Sequence, residues 1–280
     1  MYRFAKQVAV TFLLVGSLAF SQTAAKDAGM TVDEVIAKNI KAMGGYDKIK
    51  ALKSIRMKIS LMVQGLELPG VIEEARPNKQ RLDITFQGMV ITQSYDGKTA
   101  WQTNPLQGMK DPSPMGEVES KEMADDADVD GPFIDYKDKG NKVELIGKED
   151  VEGSPTYKLK VTLKSGSVRY IFLDTDSFLE VHSESKRTIR GTEVTTISNL
   201  GDYKEVDGLM FPFSLEQGSK DSQQKQKFVV TSVELNPTID PARFTMPEVK
   251  KDDKIAPDAK PADAKTDTKK PDEKKPPFLQ

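Results

Sequence analysis

The chain has no cysteine, one histidine (His182), one tryptophan (Trp101) and no excess of either charge, with 41 Lys and Arg against 43 Asp and Glu. The first absence excludes disulfides, zinc-thiolate sites and cysteine nucleophiles. The second leaves His182 as the only base for histidine-dependent catalysis. Balanced charge supplies no large basic face, so nucleic acid is not an expected partner. No Gly-x-Ser-x-Gly elbow and no phosphate-binding loop occurs. No catalytic residue, cofactor or metal ligand can be named, and the chain reads as a non-enzyme.

Long apolar runs are also scarce: the longest is Val8 to Phe20, too short to span a bilayer comfortably. It follows Arg3 and Lys6 and precedes small residues at Ala19 and Ser21, then Ala24 and Ala25. Residues 1–21 therefore read as a secretory signal peptide, with residue 25 as the alternative end and an uncleaved anchor as the competing reading. With no cysteine to acylate, the expected product is periplasmic, soluble and not lipidated. At the other end, residues 250–280 are Lys, Asp, Ala and Pro with little to bury, which predicts a disordered tail. One folded domain, 26–249, is left between them.

Thr31 and Glu34 form a capping box ahead of Val32, Val35, Ile36, Ile40 and Met43, so a helix is predicted up to Gly44-Gly45. The period then changes. From Ser54 to Gln64, Ile55, Met57, Ile59, Leu61 and Val63 alternate with polar residues, as in a half-buried antiparallel strand. Similar strands follow, separated by turns such as Pro77-Asn78, Asp96-Gly97 and Asp207-Gly208. The expected fold is mainly β (α+β): a strongly curved antiparallel meander of about 11 strands forming an incomplete barrel, because so large a sheet must curl to bury its apolar face. The N-terminal helix covers part of that face. Leu106 to Asp130, rich in proline, glycine and acid, interrupts the meander and is the candidate for a helical or loop lid. Ile239, Phe244 and Met246 suggest a last segment docked on the sheet edge.

The residues from Glu73 to Pro105 read EEARPNKQRLDITFQGMVITQSYDGKTAWQTNP. This stretch resembles the LolA family of periplasmic lipoprotein carriers: an Arg-Pro-Asn turn, a strand, an Asp-Gly-Lys-Thr turn, an aromatic residue and an Asn-Pro, in the family's order and spacing. YIFLDTDSFLEVHSE and DYKEVDGLMFPFSLE are similar to later strands of LolA-like envelope proteins. The resemblance implies a half-barrel whose apolar cavity holds acyl chains of a lipoprotein or lipid. A membrane-associated donor or acceptor protein would be a further partner, and the chain a monomer. The other reading is an envelope sensor that binds lipoprotein on the same fold and signals to a protein partner.

Ile55, Met57, Ile59, Leu61, Leu82, Ile84, Phe86, Ile91 and Trp101 are the candidate cavity-lining residues, the competing reading of each being ordinary core. By the resemblance, Arg76 is a latch that holds the lid by hydrogen bonds to lid backbone; otherwise it is a surface arginine paired with Glu73 or Glu74. On the carrier reading Arg76→Leu would alter ligand uptake or release while changing stability by less than about 1 kcal/mol, as a surface substitution does; unchanged ligand exchange would leave it the surface arginine. Gln80 and Leu82 depart from the family, which has an aromatic or apolar residue at the first position and often tryptophan at the second. Asp126, Asp128, Asp130 and Gly131 imitate half of a calcium loop, yet its twelfth position is Lys137. His182, alternating with Val181, is expected to face solvent.

Overall fold

The computed structural model describes residues 29–248 apart from 64, 190, 191 and 223. The expected signal peptide at 1–21 and tail at 250–280 lie outside the described residues. Helix α1 (Val32–Ala42) starts at the capping box: Thr31 donates its N–H to Glu34 Oε2 at 2.7 Å, and Thr31 Oγ1 accepts from Glu34 N at 3.3 Å. Gly44 ends it with φ 115°, and no side chain fits there, because a Cβ would meet Gly208 O at 2.3 Å. A second helix, α2 (Tyr46–Ala51), follows directly.

The sheet is assembled by consecutive antiparallel strands: β1 (Ser54–Val63), β2 (Leu66–Ala75), β3 (Lys79–Phe86), β4 (Met89–Tyr95), β5 (Ala100–Asn104) and β6 (Met109–Pro114). After helix α3 (Glu117–Asp126) come β7 (Lys142–Val151), β8 (Ser154–Thr162), β9 (Val168–Asp174), β10 (Glu180–Ile189), β11 (Thr192–Val206), β12 (Leu209–Ser219) and β13 (Gln226–Leu235). All 13 belong to one open sheet in the order β6-β5-β4-β3-β2-β1-β13-β12-β11-β10-β9-β8-β7. The single non-sequential neighbour is β1 beside β13, which joins the two meanders into one half-barrel with β6 and β7 as free edges.

The expectation of about 11 strands was low chiefly because β6 lies inside the stretch assigned to the lid. Its Lys-Asp-Pro-Ser-Pro run looks irregular, but it pairs with β5 alone, and proline is tolerated on an edge strand. The lid-like part of that stretch is therefore α3 and the residues after it.

Register decides which residues share a face. Ile55, Met57, Ile59 and Leu61 lie opposite Glu74, Ile72, Gly70 and Leu68 on β2 and opposite Leu235, Val233, Val230 and Phe228 on β13. This face is the inner one: farther along the sheet it carries Leu159, Val161, Ile171 and Leu173, which pack under Val35 and Ile36 of α1 together with Phe133. Gly70 matters here. A Cβ at this position would sit 2.5 Å from Ile84 Cδ1 and 2.9 Å from Asp83 O, so the two isoleucines Ile59 and Ile84 close over bare backbone. Gly70→Val should cost about 1–3 kcal/mol by overpacking, read as a lowered urea midpoint. An unchanged midpoint would show that the strand can give way.

The outer face of β1 to β5 carries a polar and aromatic cluster beneath the last described segment. Glu73 is buried there and accepts from Arg56 Nε at 2.9 Å and Arg243 Nε at 2.5 Å. Phe244 is buried, and its carbonyl accepts from Trp101 Nε1 at 2.7 Å and Ser94 Oγ at 3.1 Å. The segment after β13 thus docks on the outer face of the sheet and not on its edge, since Trp101 and Ser94 supply partners there.

Candidate functional site

Eight of the nine candidate lining residues lie on the inner face; Trp101 does not. It pairs with Ser94, not with Tyr95, so it points outward and is buried against Phe244 and the Arg81 guanidinium, 5.5 Å from its ring. Ile59, Leu61 and Ile84 are buried in a cluster whose half-buried members include Met57, Leu82, Ile72, Leu68 and Phe228. Every member of this cluster is a sheet residue, so its inward surface is a strip of apolar side chains on β13 and β1 to β3. Phe86 and Ile91 extend the strip, being half-buried and in register with Met89 and Ile84. Ile55 belongs to a tighter group with Leu52 and Leu209, and lines a cavity of about 260 Å³ walled also by Met43, Ile49 and Phe211.

Across the concavity the wall changes character. A larger cavity of about 810 Å³ lies between α3 and strands β9 to β12, and its sheet side presents Arg169, Ser183, Ser185, Thr196, Ser198 and Gln217. The family resemblance implies an apolar cavity and points to no polar side. This polar wall is not legible in the sequence, because serine and threonine at alternate positions of a strand are equally compatible with a solvent-facing outer surface.

Helix α3 reaches from one wing of the sheet to the other. It packs against β4 and β5 near its start, where Met115 N donates to Ala100 O at 2.9 Å. Near its end, Asp125 accepts from Ser165 Oγ at 3.0 Å and Ser167 Oγ at 2.7 Å, and Asp126 accepts from Arg169 at 2.6 Å. The three acidic residues that resemble a calcium loop are each taken by a different cation: Asp126 by Arg169, Asp128 by Lys139, and Asp130 by Arg76 and Lys50.

Arg76 is a bridging residue, and neither form of the sequence expectation describes it fully. Its backbone partners belong to the end of α2: Nε donates to Leu52 O at 2.5 Å and Nη2 to Ile49 O at 3.1 Å. Its contact with the presumed lid stretch is through the carboxylate of Asp130, with no lid carbonyl among its bonds. Glu73 and Glu74 are not its partners: the former binds Arg56 and Arg243, the latter Gln80. Burial alone would raise the Asp130 carboxyl, but hydrogen bonds from Arg76 and Lys50 hold it below the usual carboxylate value.

Two inner-face carboxyls behave in the opposite way. Glu74, in register with Ile55 and Gln80, and Glu180, at the start of β10 on the wall of the smaller cavity, are pushed up to about 7 by burial. Gln80, the departure noted from the family pattern, hydrogen-bonds Glu74 and partly offsets that rise. His182 is on the outer face, where a bulge between Glu180 and His182 sets it opposite Phe172, but it is not open to solvent. Only 12% of its side chain is exposed, with Nδ1 2.5 Å from Asn199 Oδ1 and the ring edge-on to Phe172 at 4.9 Å.

No protein-family model matches the sequence, and no curated protein matches it. Solved structures do resemble the fold. A LolA superfamily protein from Nitrosomonas europaea aligns with a TM-score of 0.52 and 11% identity over 77% of this chain and 98% of its own. A domain described as an outer membrane lipoprotein-sorting protein from Vibrio parahaemolyticus gives a TM-score of 0.49 and 10% identity over 76% of this chain and 95% of its own. At such identities the likeness concerns the fold. One open antiparallel sheet curled around an inner face, with α1 packed on one wing and α3 reaching across, is accordingly a LolA-like half-barrel.

Proposed function

We propose that this chain is a periplasmic carrier or binding protein that holds the acyl chains of a lipoprotein or lipid against its inner face. The observation that carries the reading is the apolar strip on β13 and β1 to β3, where Met57, Leu68, Ile72, Leu82 and Phe228 remain only partly buried although they adjoin fully buried neighbours. Large apolar side chains gathered on a concave surface and left partly exposed suit an apolar ligand. Each methylene placed there and removed from water contributes about 0.8 kcal/mol, so a chain of a dozen or more carbons would be held strongly. Helix α3 is the element suited to close over the ligand, because its far end is fastened by a few polar side-chain bonds, two of the three exposed, that break and re-form at little cost.

The reading is one of binding without catalysis. His182 is engaged with Asn199 and Phe172 on the outer face, away from both cavities. In the sensor alternative the same face would bind lipoprotein and the signal would pass to a protein partner. A fluorescent fatty-acid probe displaced by oleate tests the apolar strip. Leu82→Asn, a change at a half-buried position, should weaken binding at least tenfold with the fold retained, whereas Val90→Asn on an exposed outer position should leave it unchanged. Equal binding by both variants would remove the strip from the site.

A further inference from the structure

The cavity beneath α3 has a hydrogen-bonding wall that an acyl-chain carrier does not require. Ser183 and Ser185 on β10 lie opposite Ser198 and Thr196 on β11, and Ser198 lies opposite Gln217 on β12. That these side chains face inward follows from register: Ser183 pairs with Ile171, which packs under α1, and Ser185 pairs with Arg169, which binds α3. Ser185, Thr196, Ser198 and Gln217 are half-buried, and among the described residues their side chains have no protein hydrogen-bond partner. None of their polar atoms is fully enclosed, so these hydroxyl and amide groups open onto the cavity and are free to bond water or a ligand there.

The charges around the same cavity narrow the ligand's chemistry. Four carboxylates of α3 stand there beside Lys121 and Arg169, whereas Glu184, Lys186 and Lys160 alternate with inward neighbours and turn to the outer face. Arg169, the cation on the sheet wall beside Ser185, is already bound to Asp126. Such a site offers an anionic head group no net attraction, whereas neutral donors and acceptors spread over three adjacent strands match a head group with several hydroxyls. The polar wall and the apolar strip are separate stretches of one inner face, as the two ends of an amphiphile require.

We propose that the cavity beneath α3 receives the polyhydroxylated, uncharged head group of a glycolipid whose acyl chains lie on the apolar strip. This rests on the acyl-chain reading above and specifies the ligand class for the same inner face.

The test compares the full chain's binding to monogalactosyl dioleoylglycerol, dioleoylphosphatidylglycerol, dioleoylglycerol and methyl galactoside, by competition with a fluorescent fatty-acid probe or, for the sugar, by calorimetry. The galactolipid should bind at least tenfold more tightly than the other two lipids, about the yield of one or two added hydrogen bonds, and far more tightly than the sugar alone. The triple variant Ser185→Ala, Thr196→Val, Ser198→Ala should lose that preference, to within about threefold, while binding dioleoylglycerol as the natural sequence does; this second reading also shows that the variant is folded. Three lipids bound alike, or phosphatidylglycerol preferred, would overturn the head-group assignment and leave the acyl-chain reading standing. Methyl galactoside bound as tightly as the galactolipid would overturn the amphiphile. Failure of every lipid to bind would overturn both readings.

Discussion

Replacing Arg76 by leucine is expected to lower the free energy of unfolding by about 3 kcal/mol, far more than a surface substitution would. The reason is the site that its guanidinium completes. Asp130 has a side chain only 5% exposed, and without Arg76 its carboxylate would keep Lys50 alone, at 3.1 Å. The carbonyls of Ile49 and Leu52 at the end of α2 would lose a donor at the same time. A leucine can satisfy none of the three, and breaking a buried pair by removing one partner is the costly way to disrupt it. Arg76→Lys should recover only part of the loss, because one ammonium does not reproduce the spread of Nε and Nη2 over three acceptors. Urea denaturation measures both variants, and a loss below about 1 kcal/mol for leucine would return Arg76 to the surface class.

Stability should also fall as the pH rises from about 4.5 to 7, through the two inner-face carboxyls. Glu74 and Glu180 have an ordinary value of 4.5 and are pushed up to about 7 by burial in the folded chain. The folded state therefore binds more protons than the unfolded state within that window, so raising the pH favours unfolding. Below 4.5 both groups are protonated in either state and impose no penalty; above 7 the penalty is complete. Each contributes on the order of 2 kcal/mol, the full shift being discounted because both side chains retain some contact with water. Carboxyls whose values are lowered, such as Asp130 and Asp174, act in the opposite sense but at pH below about 4, outside this window. The double variant Glu74→Gln, Glu180→Gln should raise the Tm by several degrees at pH 8 and barely alter it at pH 4. An equal shift at both values would mean that side-chain shape, and not ionisation, is responsible.

Much of the fold was legible because its signals are local. The Thr31-Glu34 box, the alternation from Ile55 to Val63 and the Asp-Gly turns each arise from interactions within a few residues. The misreadings occur where distant pairing decides. Trp101 follows an inward Ala100, and only the pairing of β4 with β5 shows that it points outward, beneath a residue more than a hundred positions later. In the same way, Asp130 looked like part of a calcium loop because its spacing to Asp126 and Asp128 is local, while Arg76 and Lys50 come from far earlier in the chain. Phe133 and Ile134 are buried core in a run of turns with no period at all, which left no signal to read. His182 does lie on the outer face, but Phe172 and Asn199, brought beside it by strand pairing, leave it mostly buried. The candidate site was thus half visible: the apolar strip follows from alternation, but the opposing polar wall depends on which way a serine-rich hairpin faces.

The central claim is that the inner face holds acyl chains, and native mass spectrometry of the protein released gently from its own envelope tests it most directly. The account predicts a fraction of the protein carrying an additional mass that organic extraction removes and that contains esterified or amide-linked acyl chains. A single species at the mass of the polypeptide, unchanged after incubation with lipid vesicles, would contradict it.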